Sequence, residues 1–166
     1  MKYLKKWSLA DAFDLAKALN NQNVLKNLRD GLPFPYTPAD AEYYISQCLS
    51  APSGIQYTWA IDIDGKVIGS IGIFRKENIH FRTAELGYYL AEEYWGRGIT
   101  ALAVKEACGY IFENTDILRI FAEPFAYNAA SCRVLEKAGF EFEGLLKCNA
   151  VKNDTVIDMR MYSLIK

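Results

Sequence analysis

Two short stretches hold residue types whose spacing could do chemistry. The first reads Tyr94-Trp95-Gly96-Arg97-Gly98-Ile99-Thr100, two glycines one residue apart, just ahead of an apolar helical pattern. Glycine lets the backbone turn tightly and come close to a ligand. The first free amides of the following helix then point outward as donors, with the positive end of its dipole behind them. Such a place can hold a phosphate or pyrophosphate. The same glycines also make an ordinary tight turn, so the motif does not decide alone. It lacks the third glycine of G-x-G-x-x-G and the Lys-Ser/Thr of a P-loop, so neither a Rossmann nor a Walker site follows. The second stretch runs Asn128-Ala129-Ala130-Ser131-Cys132-Arg133-Val134-Leu135-Glu136-Lys137-Ala138-Gly139-Phe140. An N-cap asparagine, an amphipathic helix and a glycine stop explain most of it. They do not require Ser131, although serine is common in a first turn.

The elements that must position these residues follow from periodicity. Residues 3–7 read as a short opening strand, and Ser8 as the N-cap of a helix ending near Asn20-Asn21. Residues 22–36 are ambiguous, because Pro33 and Pro35 remove donors and fix φ. Thr37-Pro38-Ala39-Asp40 starts a helix that runs to about Leu49. The period then drops to two. Strands are predicted over residues 57–63 and 67–74, joined by the hairpin signal Asp64-Gly65, and over 83–90. A helix over 99–112, a strand over 117–122, a helix over 128–138 and strands near 140–147 and 155–164 complete the chain. The order β-α-α-β-β-β-α-β-α-β-β predicts an α/β (α+β) domain spanning residues 1–166, a mixed sheet of about seven strands flanked by about four helices.

Composition excludes several classes. Nineteen basic against twenty acidic residues leave a formal charge of −1, with no basic stripe for nucleic acid. Half the residues are hydrophobic, so a disordered chain is ruled out. Cys48, Cys108, Cys132 and Cys148 show no C-x-x-C spacing, and His80 is the sole histidine, so no metal site is expected. The cysteines read as reduced thiols in a cytoplasm. The first twenty residues carry charges throughout, unlike a signal peptide. No uncharged run approaches the roughly 20 residues of a membrane span, so no membrane partner is expected.

Both stretches together, in this order and at this separation, resemble the GNAT superfamily of acetyltransferases, within it the branch of the ribosomal-protein N-terminal (RimJ/RimL-like) enzymes. Ala84-Glu85-Leu86-Gly87-Tyr88-Tyr89-Leu90, Glu143-Gly144-Leu145-Leu146 and the late Asp158 and Tyr162-Ser163-Leu164 fit as well. The resemblance covers nearly the whole chain and is densest from 83 to 144. It implies a GNAT-like, mostly antiparallel central sheet and acetyl-CoA as co-substrate. The turn spanning Gly96, Arg97, Gly98, Ile99 and Thr100, with Trp95 before it, would take the CoA pyrophosphate on its amides. Tyr89, Leu90 and Ala91 would offer main-chain partners to the pantetheine arm, one amide polarising the thioester carbonyl. Asn128 would contact the cofactor, and Ser131 would give a proton or hydrogen bond to the departing thiolate. Lys137 and Arg133 could reach cofactor phosphates, against a reading as solvated helix charges.

This chain departs from the pattern at three places. Trp95 stands where the superfamily has Gln or Arg, Thr100 where it has Gly or Ala, and Ala150 near a carboxylate that some branch members use as base. Alanine cannot do that work, which leaves the base and the acceptor open. A protein α-amine, with a pKa near 7.7–8.0, needs only about 1–1.4 kcal/mol to be neutral at pH 7, whereas a lysine needs roughly 4.6 kcal/mol. Glu85 is the candidate base, matching the catalytic glutamate of some histone acetyltransferases; the rival reading gives it a structural bond to a neighbouring strand or turn. The loop of Pro33, Phe34, Pro35 and Tyr36, with Tyr127, could wall the acceptor site or simply pack. The acceptor is expected to be a primary amine, the α-amine of a protein N-terminus, with a small molecule (polyamine, antibiotic or amino acid) as the alternative. A non-catalytic CoA-binding module is the alternative from another class. Pairing of the late strands into a homodimer is compatible with the pattern.

Overall fold

Strand alternation and helix caps settle most of the architecture. In the computed structural model, which describes residues 1–166, seven strands form one sheet in the order β1-β2-β3-β4-β5-β7-β6. They are β1 (Leu4–Lys5), β2 (Gln56–Ile63), β3 (Lys66–Arg75), β4 (Thr83–Leu90), β5 (Arg119–Ala122), β6 (Glu141–Lys152) and β7 (Thr155–Ile165). Every pairing is antiparallel except β4 with β5. Asp64 and Gly65, at φ 52° and 82°, make the tight turn of the β2–β3 hairpin. Asn153 and Asp154 do the same for β6 and β7.

The helices are α1 (Ala12–Leu19), α2 (Gln22–Leu25), α3 (Pro38–Ser50), α4 (Ile99–Asn114) and α5 (Ala129–Ala138). Ser8 caps a 3-10 turn over Leu9–Asp11 rather than α1 itself, and Asp11 bonds back to the Ser8 amide. Thr37 and Asp40 form the same reciprocal cap on α3. One turn of helix, α2, lies in the segment that periodicity left ambiguous; Asn21 caps it by accepting from the amides of Asn23 and Val24. No helix is long and apolar enough to cross a membrane.

Two cores cover the two faces of the sheet. On one face α4 brings Ala103, Val104, Ala107, Cys108 and Ile111, and α5 brings Cys132, Leu135 and Ala138, onto Ile71, Ile73, Leu86 and Ile120. On the other, Leu15, Ala16 and Leu19 of α1 meet Ala41 and Ile45 of α3 over Ala60 and Val67. Cys108 is the small core residue its helical pattern predicts, and burial pushes its thiol up to about 12. All four cysteines are free. The sheet is therefore clamped from both sides, and the strands near its middle are rigid supports for whatever lies at their ends.

Candidate active site

The Gly96–Gly98 turn is built as an anion cradle requires. Gly96 and Gly98 sit at φ 76° and 77°, the left-handed region where a side chain would be strained. Gly98 stands at the N-cap of α4, and no side chain caps that end. The amides of the first turn are thus left as donors, with the helix dipole adding positive potential. Trp95 fixes the approach to this turn: its indole N–H donates to the Leu90 carbonyl at 2.7 Å. That bond lets the tryptophan brace the loop. The Arg97 side chain turns away from the cleft, donates to the Glu93 carbonyl at 2.9 Å and lies over the Tyr94 ring.

A slot opens where β4 outruns β5. The parallel register ends at Glu85 opposite Phe121, and β5 stops at Ala122. The Lys76 amide bonds the Thr83 carbonyl, and the Ala91 amide bonds the Ile68 carbonyl at 2.7 Å, so odd-numbered β4 residues turn their main chain toward β3. Even-numbered residues turn the other way, as the Arg82 carbonyl does in accepting from Leu118. Beyond Glu85 the peptide groups of Tyr88 and the Leu90 amide therefore face the gap. Of the three residues expected to offer main-chain partners, Tyr89 and Ala91 turn theirs to β3, and the groups that face the gap belong to Tyr88 and Leu90. The gap persists because the chain after β5 veers off. Phe125 bridges to Met159, and Arg160 donates to the Pro124 carbonyl.

Helix α5 closes one side. Asn128 accepts from the Ser131 amide at 3.1 Å, so it caps the helix while also lining the cleft. Ser131 stands one turn in, its Oγ 2.7 Å from the Tyr88 hydroxyl. Tyr88 is partly buried against the core, and desolvation holds its phenol far above the ordinary range. Arg133 and Lys137 line the same cleft.

The opposite side gathers charge. Glu85 is gripped by Arg29 and by Lys76, the latter at 3.5 Å, so its structural reading has a physical basis. Beside it, one residue past β5, Glu123 has no such cation bound to it. Burial raises its carboxyl first, and the like charge of Glu85 raises it further, against a weaker pull from Arg29 and Lys76. Sequence reasoning missed Glu123, Arg29 and Tyr88. Only the position of Glu123 just past a strand end, before Pro124, offered a signal.

The third wall comes from residues 24–29, not from the proline loop. Val24, Asn27, Leu28 and Arg29 line the cleft. Tyr36 instead packs into the α1–α3 core at 3% exposure, and Phe34 lies outside the lining. Tyr127 also stays outside; it stacks on Phe125 and donates to the Lys26 carbonyl at 2.7 Å. Lys152 donates to the Leu28 carbonyl and to Asp30, at 2.7 and 2.8 Å, and Asn21 and Asn23 hold Glu92. Residues 21–30 thus form a strap across the site, tied down at both ends. The cleft beneath it has a volume of about 560 Å³ and reaches from Gly96 and Thr100 to Glu85 and Glu123. A second hollow of about 410 Å³, lined by Asp30, Glu123, Asn149, Ala150 and Lys152, adjoins it through Arg29.

This combination of a split sheet, an uncapped helix N-terminus and a serine-bearing second helix places the protein in a known class. The acetyltransferase (GNAT) domain family matches residues 3–141, and the chain belongs to that family. It is 34% identical to the N-acetyltransferase p20 of Bacillus licheniformis over 98% of this chain and 92% of that one. It is 36% identical to the N-acetyltransferase YoaA of Bacillus subtilis over 61% of this chain, a match that spans about half of that relative's length (56%). Among solved structures, the ribosomal-protein-S5-alanine acetyltransferase of Vibrio fischeri superposes with a TM-score of 0.87 at 23% identity, over 99% and 93% of the two chains. The microcin C7 self-immunity acetyltransferase MccE, solved with acetyl-CoA and AMP, gives 0.85 at 22% identity, over 98% and 91%. Both structural likenesses speak to fold.

Proposed function

We propose that this protein transfers an acetyl group from acetyl-CoA directly to a primary amine, and that the amine is the α-amino group of a polypeptide. One observation carries the reading: a single cleft joins the uncapped N-terminus of α4, the open main-chain groups of Tyr88 and Leu90, and the half-buried carboxylate of Glu123. Anion cradle, amide donors and base stand in the order an acyl-CoA and an amine need. When bound, acetyl-CoA supplies an activated thioester.

The chain's own residues then divide the work. Amides of the Gly98–Thr100 turn hold the pyrophosphate, with Arg133 and Lys137 near enough to the cleft to meet phosphate charge. The open amide of Leu90 or Tyr88 donates to the thioester carbonyl, where negative charge develops. Glu123 accepts the proton that the amine sheds. As the N–C bond forms and the C–S bond breaks, sulfur leaves as a thiolate facing Ser131. Glu85 sets the electrostatics: its charge raises Glu123, and its own ion pairs keep it from serving directly. The modest cost of neutralising an α-amine suits a lone glutamate and favours a polypeptide N-terminus over a more basic amine.

Calorimetric titration with acetyl-CoA, with NAD as comparison, tests the co-substrate; about one site per chain is expected for acetyl-CoA and none for NAD. Acetylation of a panel of free N-terminal peptides, set against spermidine and aminoglycosides and read by mass spectrometry, tests the acceptor. Turnover confined to the small amines would overturn the polypeptide assignment.

A further inference from the structure

The Tyr88 hydroxyl faces two acceptors on the same residue: Ser131 Oγ at 2.7 Å and the Ser131 carbonyl at 3.2 Å. The mechanism above uses the main chain of Tyr88 and leaves this phenol without a role. We infer that Tyr88 is a positioning residue, a two-state hydrogen-bond partner that frees the Ser131 proton to point at the departing sulfur. The inference rests on the acetyl-CoA reading of the site.

A phenol and an alcohol have one proton each, and both groups are part-buried, where losing a hydrogen-bond partner carries a cost. In the resting arrangement Ser131 donates to Tyr88, and Tyr88 donates to the Ser131 carbonyl, so each proton has an acceptor. When a thiolate forms in the cleft, Ser131 can rotate its proton toward sulfur only if another donor takes over its oxygen. Tyr88 does so by turning its own proton from the carbonyl to Oγ. No heavy atom need move, because both acceptors are already in reach, and every group stays paired in both states. Burial keeps the phenol protonated and therefore always a donor. The backbone of Ser131 is meanwhile pinned by its amide bond to Asn128, so only the hydroxyl turns. A phenylalanine at position 88 would keep the ring and its packing while removing the second donor.

The test uses CoA itself and needs no acceptor. The ionisation of the thiol in the protein–CoA complex is followed by thiolate absorbance, with desulfo-CoA subtracting the protein's own cysteines, for wild type, Tyr88→Phe, Ser131→Ala and the double variant. Thermal midpoints and CoA dissociation constants are measured alongside. The expected result is a thiol about three- to tenfold harder to ionise in Tyr88→Phe, the size of one hydrogen bond. The double variant should show no further loss beyond Ser131→Ala, and CoA affinity at low pH should stay within about twofold of wild type. An unchanged ionisation in Tyr88→Phe, or equal losses that add in the double variant, would overturn the inference. Failure of wild type to bind CoA at all would instead sink the acetyl-CoA reading, so the two failures are distinguishable.

Discussion

At the scale of single residues, the proposed mechanism divides between Glu123 and Glu85 a base role for which the sequence offered Glu85 as candidate, against a structural reading. A general base must be unprotonated, so turnover is expected to fall as pH drops through the Glu123 pKa, which burial and the neighbouring Glu85 charge place above the usual carboxylate range. Glu123→Gln should cost about a hundredfold or more in kcat. Glu85→Gln should do something different. Without the like charge beside it, Glu123 ionises more readily, and the acid limb of the kcat–pH profile moves to lower pH. An acid limb that stayed in place in Glu85→Gln would disconnect the two carboxylates. Glu85 was legible because it sits in a strongly patterned strand beside Leu86-Gly87-Tyr88. Glu123 was not, because its perturbation arises from a strand pairing that puts Phe121 opposite Glu85 and from burial under distant residues. Neither is written in local spacing.

At the scale of elements, the glycine turn and the last strands make opposite kinds of prediction. Gly98→Trp forces a left-handed backbone on an L-residue, at roughly 1–2 kcal/mol, and sets a bulky ring where the α4 amides must be reached. Acetyl-CoA affinity should collapse while the fold survives; calorimetry and a melting curve read the two separately. In the sheet, Arg119 donates to Glu143 at 2.7 Å and the Ser163 hydroxyl at 2.6 Å, holding the Glu143 carboxyl down at about 2. A depressed carboxylate stabilises the fold above its unfolded pKa, and that contribution is lost as pH falls from about 4.5 toward about 2. The midpoint of unfolding in Glu143→Gln should therefore vary less steeply with pH across that window than in wild type. Strands, caps and the Asp64-Gly65 turn were readable because each depends on neighbours within a few residues. The alternation that decides whether Tyr88 or Tyr89 faces the slot was not, since it depends on which edge of β4 pairs with β3.

At the scale of the whole molecule, the strap of residues 21–30 ties the cofactor end of the cleft to the β6–β7 hairpin. Its ten residues have no sustained periodicity to read, and its order comes from bonds to Glu92, Glu85, Tyr127 and Lys152. Lys152→Ala removes two of these at once, worth about 1 kcal/mol each. Hydrogen exchange should then quicken in the strap alone, and KM for the acceptor should rise several-fold with kcat little altered. Exchange spreading evenly through the sheet would show that the strap does not open by itself. The gap beside β4 carries a consequence of another kind. A sheet that splits in its middle has given up strand contacts there, and whatever ligand fills the gap restores some of that lost cohesion only in the folded state. Mass action then links occupancy to survival: a co-substrate at a hundred times its dissociation constant adds about 2.7 kcal/mol against unfolding. On the proposed reading, the melting temperature of the protein should therefore climb with acetyl-CoA concentration, and NAD at the same concentration should leave it where it is.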